Sequence, residues 1–183
     1  MAFSNKIIFN PKTKQGLRFL RTSKETGGEL LEMETTYHRQ STEPPPHYHP
    51  QQVEDFTVLK GELTVRIDGA LQALKQGDKL RIPKNTVHSM WNSTNKKTVV
   101  NWKVQPALDT ENFLETAIGL ATDGKTNDDG MPGILQIALL ANKYGTVFRL
   151  SKPHFAVQKL LFLFLTPFAF LFGYRPTYQK YLD

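Results

Sequence analysis

Residues Pro44 to Gly61 read PPPHYHPQQVEDFTVLKG, and residues Gly77 to Asn92 read GDKLRIPKNTVHSMWN. These two stretches decide the fold. The first offers His47, His49 and Glu54, and the second offers His88. Three imidazoles and a carboxylate are a ligand set that suits a first-row divalent metal. His47 and His49 flank Tyr48, so an extended backbone puts both rings on one face. Glu54 lies at odd spacing from His49, so a bend at Pro50-Gln51-Gln52 has to return it to that face. Pro50 suits the bend, with its fixed φ and missing N–H. Beyond it, Phe56 and Val58 share the parity of Glu54 and read as interior, while Asp55 faces out. Lys60-Gly61 turns the chain back.

The spacing H-x-H-x4-E-x6-G, carried by His47, His49, Glu54 and Gly61, resembles the first motif of the cupin superfamily. The second motif, G-x5-P-x4-H-x3-N, is matched by Gly77, Pro83, His88 and Asn92. The resemblance implies an all-β cupin fold, a double-stranded β-helix or jelly-roll barrel. It places a metal near the centre, held by His47, His49, Glu54 and His88. Two positions depart from the family pattern: Ser41 and Asn85 stand where glycine is usual. Both are turn positions, and Asn is a non-glycine residue that tolerates positive φ.

Working outward, Leu31, Met33, Thr35 and Tyr37 alternate with polar residues as in a half-buried strand, which points Tyr37 inward near the pocket. Lys6 to Phe9 and Leu17 to Leu20 read as edge strands wrapping the barrel. Leu63, Val65 and Ile67 alternate up to Asp68-Gly69, a hairpin signal, with Leu71 to Leu74 as the return strand. Leu80 and Ile82 face in, Pro83-Lys84-Asn85 turns, and Met90 and Asn92 share the parity of His88. Thr98 to Val104 closes the barrel, with Val100, Trp102 and Val104 on one face. Residues 1–106 are thus expected to form the barrel, and residues 107–183 a helical C-terminal extension packed on it.

In that extension Asp109-Thr110 can cap a first helix. Pro132 suits the first helical position before Ile134 to Tyr144, and Gly145 suits the stop. Pro153 is expected to open the last helix. Leu160 to Leu165 is apolar on every side, and Phe168 to Phe172 continues it past Pro167. A helix apolar all round is buried or in lipid. The favoured reading packs it on its neighbours or on a dimer mate. Contact of Leu160–Phe172 with a membrane surface comes second, and a true span, which needs about 20 apolar residues, comes last. Barrel plus helical extension is also similar to a subset of small bacterial cupins.

The 183 residues carry 39% hydrophobic residues, enough for one core and an appendage. No cysteine is present, so disulfides and thiolate metal sites are excluded. The N-terminus has no apolar h-region, and the expected location is cytoplasmic or peripheral to a membrane. The net charge of +6 is concentrated before residue 25, where Lys6, Lys12, Lys14, Arg18, Arg21 and Lys24 meet no acid. It reads as a solvated strand face. No nucleic-acid motif accompanies it, so no nucleic-acid partner is expected, while a homodimer through edge strands is. His38 and His154 lack motif context and read as surface or turn residues.

Three neutral imidazoles and one carboxylate leave coordination positions open on a six-coordinate divalent ion. Without thiolates the site suits Fe(II), Mn, Ni, Cu or Zn, with Fe(II) favoured by family precedent. Tyr37, Phe56, Val58, Met90 and Trp102 are the expected walls of an apolar pocket. The resemblance to quercetinase-type dioxygenase cupins gives Glu54 a second role as proton acceptor. The favoured function is therefore a metal-dependent oxygenase acting on a small apolar or aromatic, oxygen-chelating molecule. The alternative is a non-catalytic binding cupin held at a membrane by its last helix.

Overall fold

The computed structural model describes residues 2–182. Its strands are β1 Ile7–Asn10, β2 Gln15–Arg21, β3 Leu31–Tyr37, β4 His47–Tyr48, β5 Val53–Lys60 and β6 Glu62–Ile67, followed by β7 Ala70–Lys75, β8 Lys79–Ile82, β9 His88–Trp91 and β10 Thr98–Gln105. After them come α1 Thr110–Thr122, α2 Ile134–Tyr144, β11 Arg149–Leu150, α3 Phe155–Leu171 and α4 Gln179–Leu182. The strands form two antiparallel sheets. One runs β1-β2-β3-β10-β5-β8, and the other β11-β4-β9-β6-β7. This is a jelly-roll-like pair of sheets with a helical extension.

Strand parity builds the interior. In β3, Leu31, Met33, Thr35 and Tyr37 are all buried, and β10 lays Val104, Trp102, Val100 and Thr98 against them in register. One part of that face meets the second sheet in a core of Tyr37, Phe56, Val58, Leu63, Val65 and Val100. The rest packs Phe19, Leu31, Met33 and Val104 against Ala107 and Ile118, the latter from α1. A third cluster, Leu120, Leu140, Tyr144 and Val147, joins α1 to α2 and the chain that follows it.

The turns obey the motif residues. Asp68 and Gly69 both have positive φ, 46° and 89°, as a two-residue hairpin turn between twisted strands demands. Asn85 sits at φ 64°, so the residue standing for glycine takes the glycine conformation. Ser41 compensates differently: its hydroxyl accepts from the Asn92 backbone N–H at 2.8 Å. The Asn92 amide in turn donates to the carbonyls of Tyr37, His38 and Lys96, which fastens the β9–β10 connection.

Gly61 is constrained twice over, at φ 83°. A Cβ there would stand 2.7 Å from the Lys97 carbonyl oxygen and 2.9 Å from Thr98 Oγ1. At Gly77 (φ 93°) a Cβ would meet nothing within 4 Å. Gly61→Ala is therefore expected to destabilise by more than about 3 kcal/mol, and Gly77→Ala by about 1–2 kcal/mol. Urea unfolding of both variants checks this, and equal losses would contradict it.

The extension departs from expectation at its helix ends. Pro132 is not the first residue of α2: it bridges Thr126, and Gly133 is the N-cap. Gly145 ends α2 at φ −64°, without the left-handed conformation that glycine usually supplies there. Asp109 occupies the N-cap of α1 but makes no side-chain cap; its carboxylate accepts from the Asn112 amide instead. His154 is the N-cap of α3, its Nδ1 accepting from the Ala156 N–H, so Pro153 precedes the helix. Residues 149–150 add a strand to the second sheet, pairing Leu150 with His47. The basic N-terminal strands are only partly a solvated face, because Lys6 reaches the buried Glu115 carboxylate at 2.6 Å.

Candidate metal centre

β4, the bend after it, β5 and β9 bring His47, His49, Glu54 and His88 together. Gln52 locks the bend: its buried amide donates to the carbonyls of Pro106 and Ala107 and to Thr110 Oγ1. Glu54 thus returns to the face of the histidines, as the odd spacing requires. His47 sits opposite His88 in the β4–β9 pairing. One ligand atom from each of His47, His49 and His88 lies within 4.8 Å of the others. Asp55 faces out and pairs with Arg81.

Every imidazole is oriented by a backbone carbonyl. His47 Nδ1 lies 3.0 Å from Pro45 O, His49 Nδ1 2.6 Å from Val147 O, and His88 Nδ1 3.0 Å from Thr86 O. A ring nitrogen facing a carbonyl must carry the proton, so each neutral ring is left with an Nε2 lone pair. Glu54 Oε1 accepts from Trp102 Nε1 at 3.0 Å. Its Oε2 stands 2.9 Å from His88 Nε2, and Oε1 stands 3.3 Å from His49 Nε2. In these tautomers acceptor faces acceptor, and His49 Nε2 and Glu54 Oε2 are buried with no hydrogen-bond partner. Only a cation can reconcile such a cluster, either a proton or a metal ion. The residues therefore fit a divalent metal: His47, His49 and His88 could hold it, with Glu54 beside them.

The electrostatics agree. Burial alone would raise the Glu54 carboxyl, but His49 and His88 hold it down at about 2. Burial, then the neighbouring His88 and His49, pushes His47 well below the usual imidazole value. Burial works against the charged form of His88 too, yet the Glu54 carboxylate 2.9 Å away leaves it raised. Burial, and after it the Glu54 charge, pushes Tyr37 up, so its hydroxyl stays protonated.

A cavity of about 470 Å³ opens from this cluster. Tyr37, Phe56, Met90 and Trp102 line it, with Phe56 and Trp102 stacked at 5.7 Å. Val58 shares the core cluster with Tyr37, Phe56 and Met90 but does not line the cavity. Sequence reasoning missed the contribution of the extension. Phe148 stacks on His47 at 4.5 Å and on Phe113 at 4.9 Å, and Val147 supplies the carbonyl that fixes His49. The only local signal was the short apolar run at Val147-Phe148, too weak to place it beside the histidines.

Trp102→Phe tests the carboxylate's support. It removes the N–H that holds Glu54 Oε1 and keeps an aromatic ring. Metal affinity is expected to fall about 10–100-fold with the fold intact. Metal titration read beside circular dichroism checks this, and unchanged affinity would contradict it.

Two antiparallel sheets around a cluster of three histidines and a glutamate define a barrel with a candidate metal site. The Cupin domain family matches residues 33–103. An uncharacterized protein of Aquifex aeolicus (strain VF5) is 32% identical over 112 residues, covering 56% of this chain and 92% of that relative. The chain belongs to the cupin superfamily. Quercetin 2,3-dioxygenase of Bacillus subtilis (strain 168) is 46% identical over 43 residues, which are 24% of this chain and 13% of the dioxygenase. A solved structure of a predicted oxalate decarboxylase from Thermotoga maritima shares the fold. Its TM-score is 0.50 at 18% identity, covering 56% of this chain and 92% of that one.

Proposed function

We propose that this cupin is a metal-dependent oxygenase of the dioxygenase type, acting on a small apolar or aromatic molecule that presents oxygen donors. The observation that carries the reading is the convergence of three carbonyl-oriented imidazoles at the head of a largely apolar cavity. A short stretch of similarity to quercetin 2,3-dioxygenase supports it. A bound redox-active divalent ion, Fe(II) first and Mn, Ni or Cu after it, would supply dioxygen and chelate chemistry at His47, His49, Glu54 and His88.

The chain's own residues do the rest. Phe56, Trp102, Phe113 and Phe148 present flat apolar surface to an aromatic substrate and keep water from the reacting face. Glu54, whose Oε2 is not held by Trp102, would serve as the acceptor of a proton from a substrate hydroxyl. Tyr37, kept protonated, can donate a hydrogen bond to a substrate oxygen.

The test is oxygen uptake by iron-loaded protein across a panel of catechols, flavonols and enols. Substrate-dependent uptake that disappears in a metal-retaining Glu54→Gln variant is expected. A metal-loaded protein that consumes no oxygen with any of them would overturn the enzyme reading in favour of a binding cupin.

A further inference from the structure

The last long helix is seated by one narrow stripe. Gln158, Phe162 and Ala169 are its buried residues, spaced as one helix face, and Gln158 is tied to the carbonyls of Leu150 and Pro153. The opposite face is apolar and open: Leu160 is 71% exposed, Phe164 67% and Leu171 78%, and Phe172 just beyond is 68% exposed. Of the two partners expected to bury this helix, its own neighbours cover only the inner stripe, so within the chain the outer face is left open. At 17 residues α3 is about 25 Å long, short of the roughly 30 Å hydrocarbon core. No helix among the described residues is long and apolar enough to cross a membrane.

Charge says what such a face meets. From residue 130 to 182 the chain has no Asp or Glu, and it carries Lys143, Arg149, Lys152, Lys159, Arg175 and Lys180. Lys143 and Lys180 pair with Asp109 and Asp123. Among the described residues no carboxylate forms an ion pair with Arg149, Lys152, Lys159 or Arg175. Arg149 lies over the Phe155 ring at the start of α3, and Arg175 over the Phe170 ring near its end. Unpaired bases therefore rim the apolar face at both ends. A second copy docked on this face by a two-fold axis would set the same acid-free segment against itself, like charge on like charge. An anionic lipid surface offers apolar depth and negative charge together.

We propose that α3 is an in-plane anchor that seats this protein on an anionic bilayer surface, with Leu160, Phe164 and Leu171 in the acyl boundary and Lys152, Lys159 and Arg175 among the headgroups. The inference is independent of the metal chemistry. Its functional consequence is positional: α3 also walls the metal-site cavity through Phe155, Gln158 and Phe162, so the cavity lies beside the lipid.

Vesicle flotation of the full chain tests it, using phosphatidylcholine vesicles with and without phosphatidylglycerol, alongside light scattering for the oligomeric state. Binding to the anionic vesicles is expected to exceed binding to neutral ones by about tenfold or more, and to weaken with salt. Lys152→Ala/Arg175→Ala is expected to lose about fivefold per base removed. Leu160→Glu/Phe164→Glu/Leu171→Glu is expected to abolish binding while thermal melts show an intact fold, since all three side chains face away from the core. Absence of binding to anionic vesicles, with the chain monomeric or paired through α3, would overturn the proposal. So would equal binding to both vesicle types, or binding undiminished in the triple variant.

Discussion

Alanine in place of His88 is expected to abolish metal retention, and with it the proposed oxygen uptake, while the two sheets persist. His88 brings one of three Nε2 lone pairs to a cluster with no thiolate to replace it. Alteration of groups that merely support a metal ligand costs about 10–100-fold in affinity, so loss of a ligand should cost more than about a hundredfold. The substitution also leaves Glu54 Oε2 without the group 2.9 Å away. Breaking a buried charged pair costs about 3–5 kcal/mol, part of which Glu54 recovers by taking up a proton. His88→Gln keeps the volume and a hydrogen-bonding group near Glu54, and is expected to lose metal with less loss of stability. Retention of metal at wild-type affinity in either variant would contradict the site.

The second large effect lies far from the metal. Phe19 is 0% exposed and packs in the core that joins the N-terminal strands to α1. Phe19→Ala is expected to cost about 3–5 kcal/mol, a large share of the roughly 5–15 kcal/mol that holds a domain together. Ile7, on the neighbouring edge strand, is 69% exposed, and its truncation should stay within about 0.5 kcal/mol. Chemical denaturation of both variants checks the contrast. A loss below about 1 kcal/mol for Phe19→Ala would mean that β1 and β2 do not fold cooperatively with the barrel.

What could be read in the sequence was set by short-range rules. The period-2 alternation of Leu31 to Tyr37 matches β3 residue for residue, and Asp68-Gly69 makes its hairpin because both residues accept positive φ. Asn85 was legible as a glycine substitute for the same reason. The four site residues could be named from motif spacing and brought to one face by parity and a bend. Their support could not. The Val147 carbonyl reaches His49 from 98 residues away, and no periodicity encodes such a contact. Val58 shares the parity of Phe56, but parity distinguishes inside from outside and not cavity wall from packed core. Helix starts were missed because proline fixes φ without fixing the helix boundary: Gly133 caps α2 after Pro132, and His154 caps α3 after Pro153. The all-round apolarity of α3 gave its hydrophobicity without saying which side the fold would cover.

The central claim is that the three imidazoles and Glu54 form a metal centre, and metal content tests it most directly. Protein purified without chelator is to be compared by elemental analysis with its His47→Ala/His88→Ala variant, both verified as folded. About one redox-active transition metal ion per chain in the wild type, lost in the variant, is the predicted result. A folded wild type carrying no metal, or a variant carrying as much as the wild type, would contradict it.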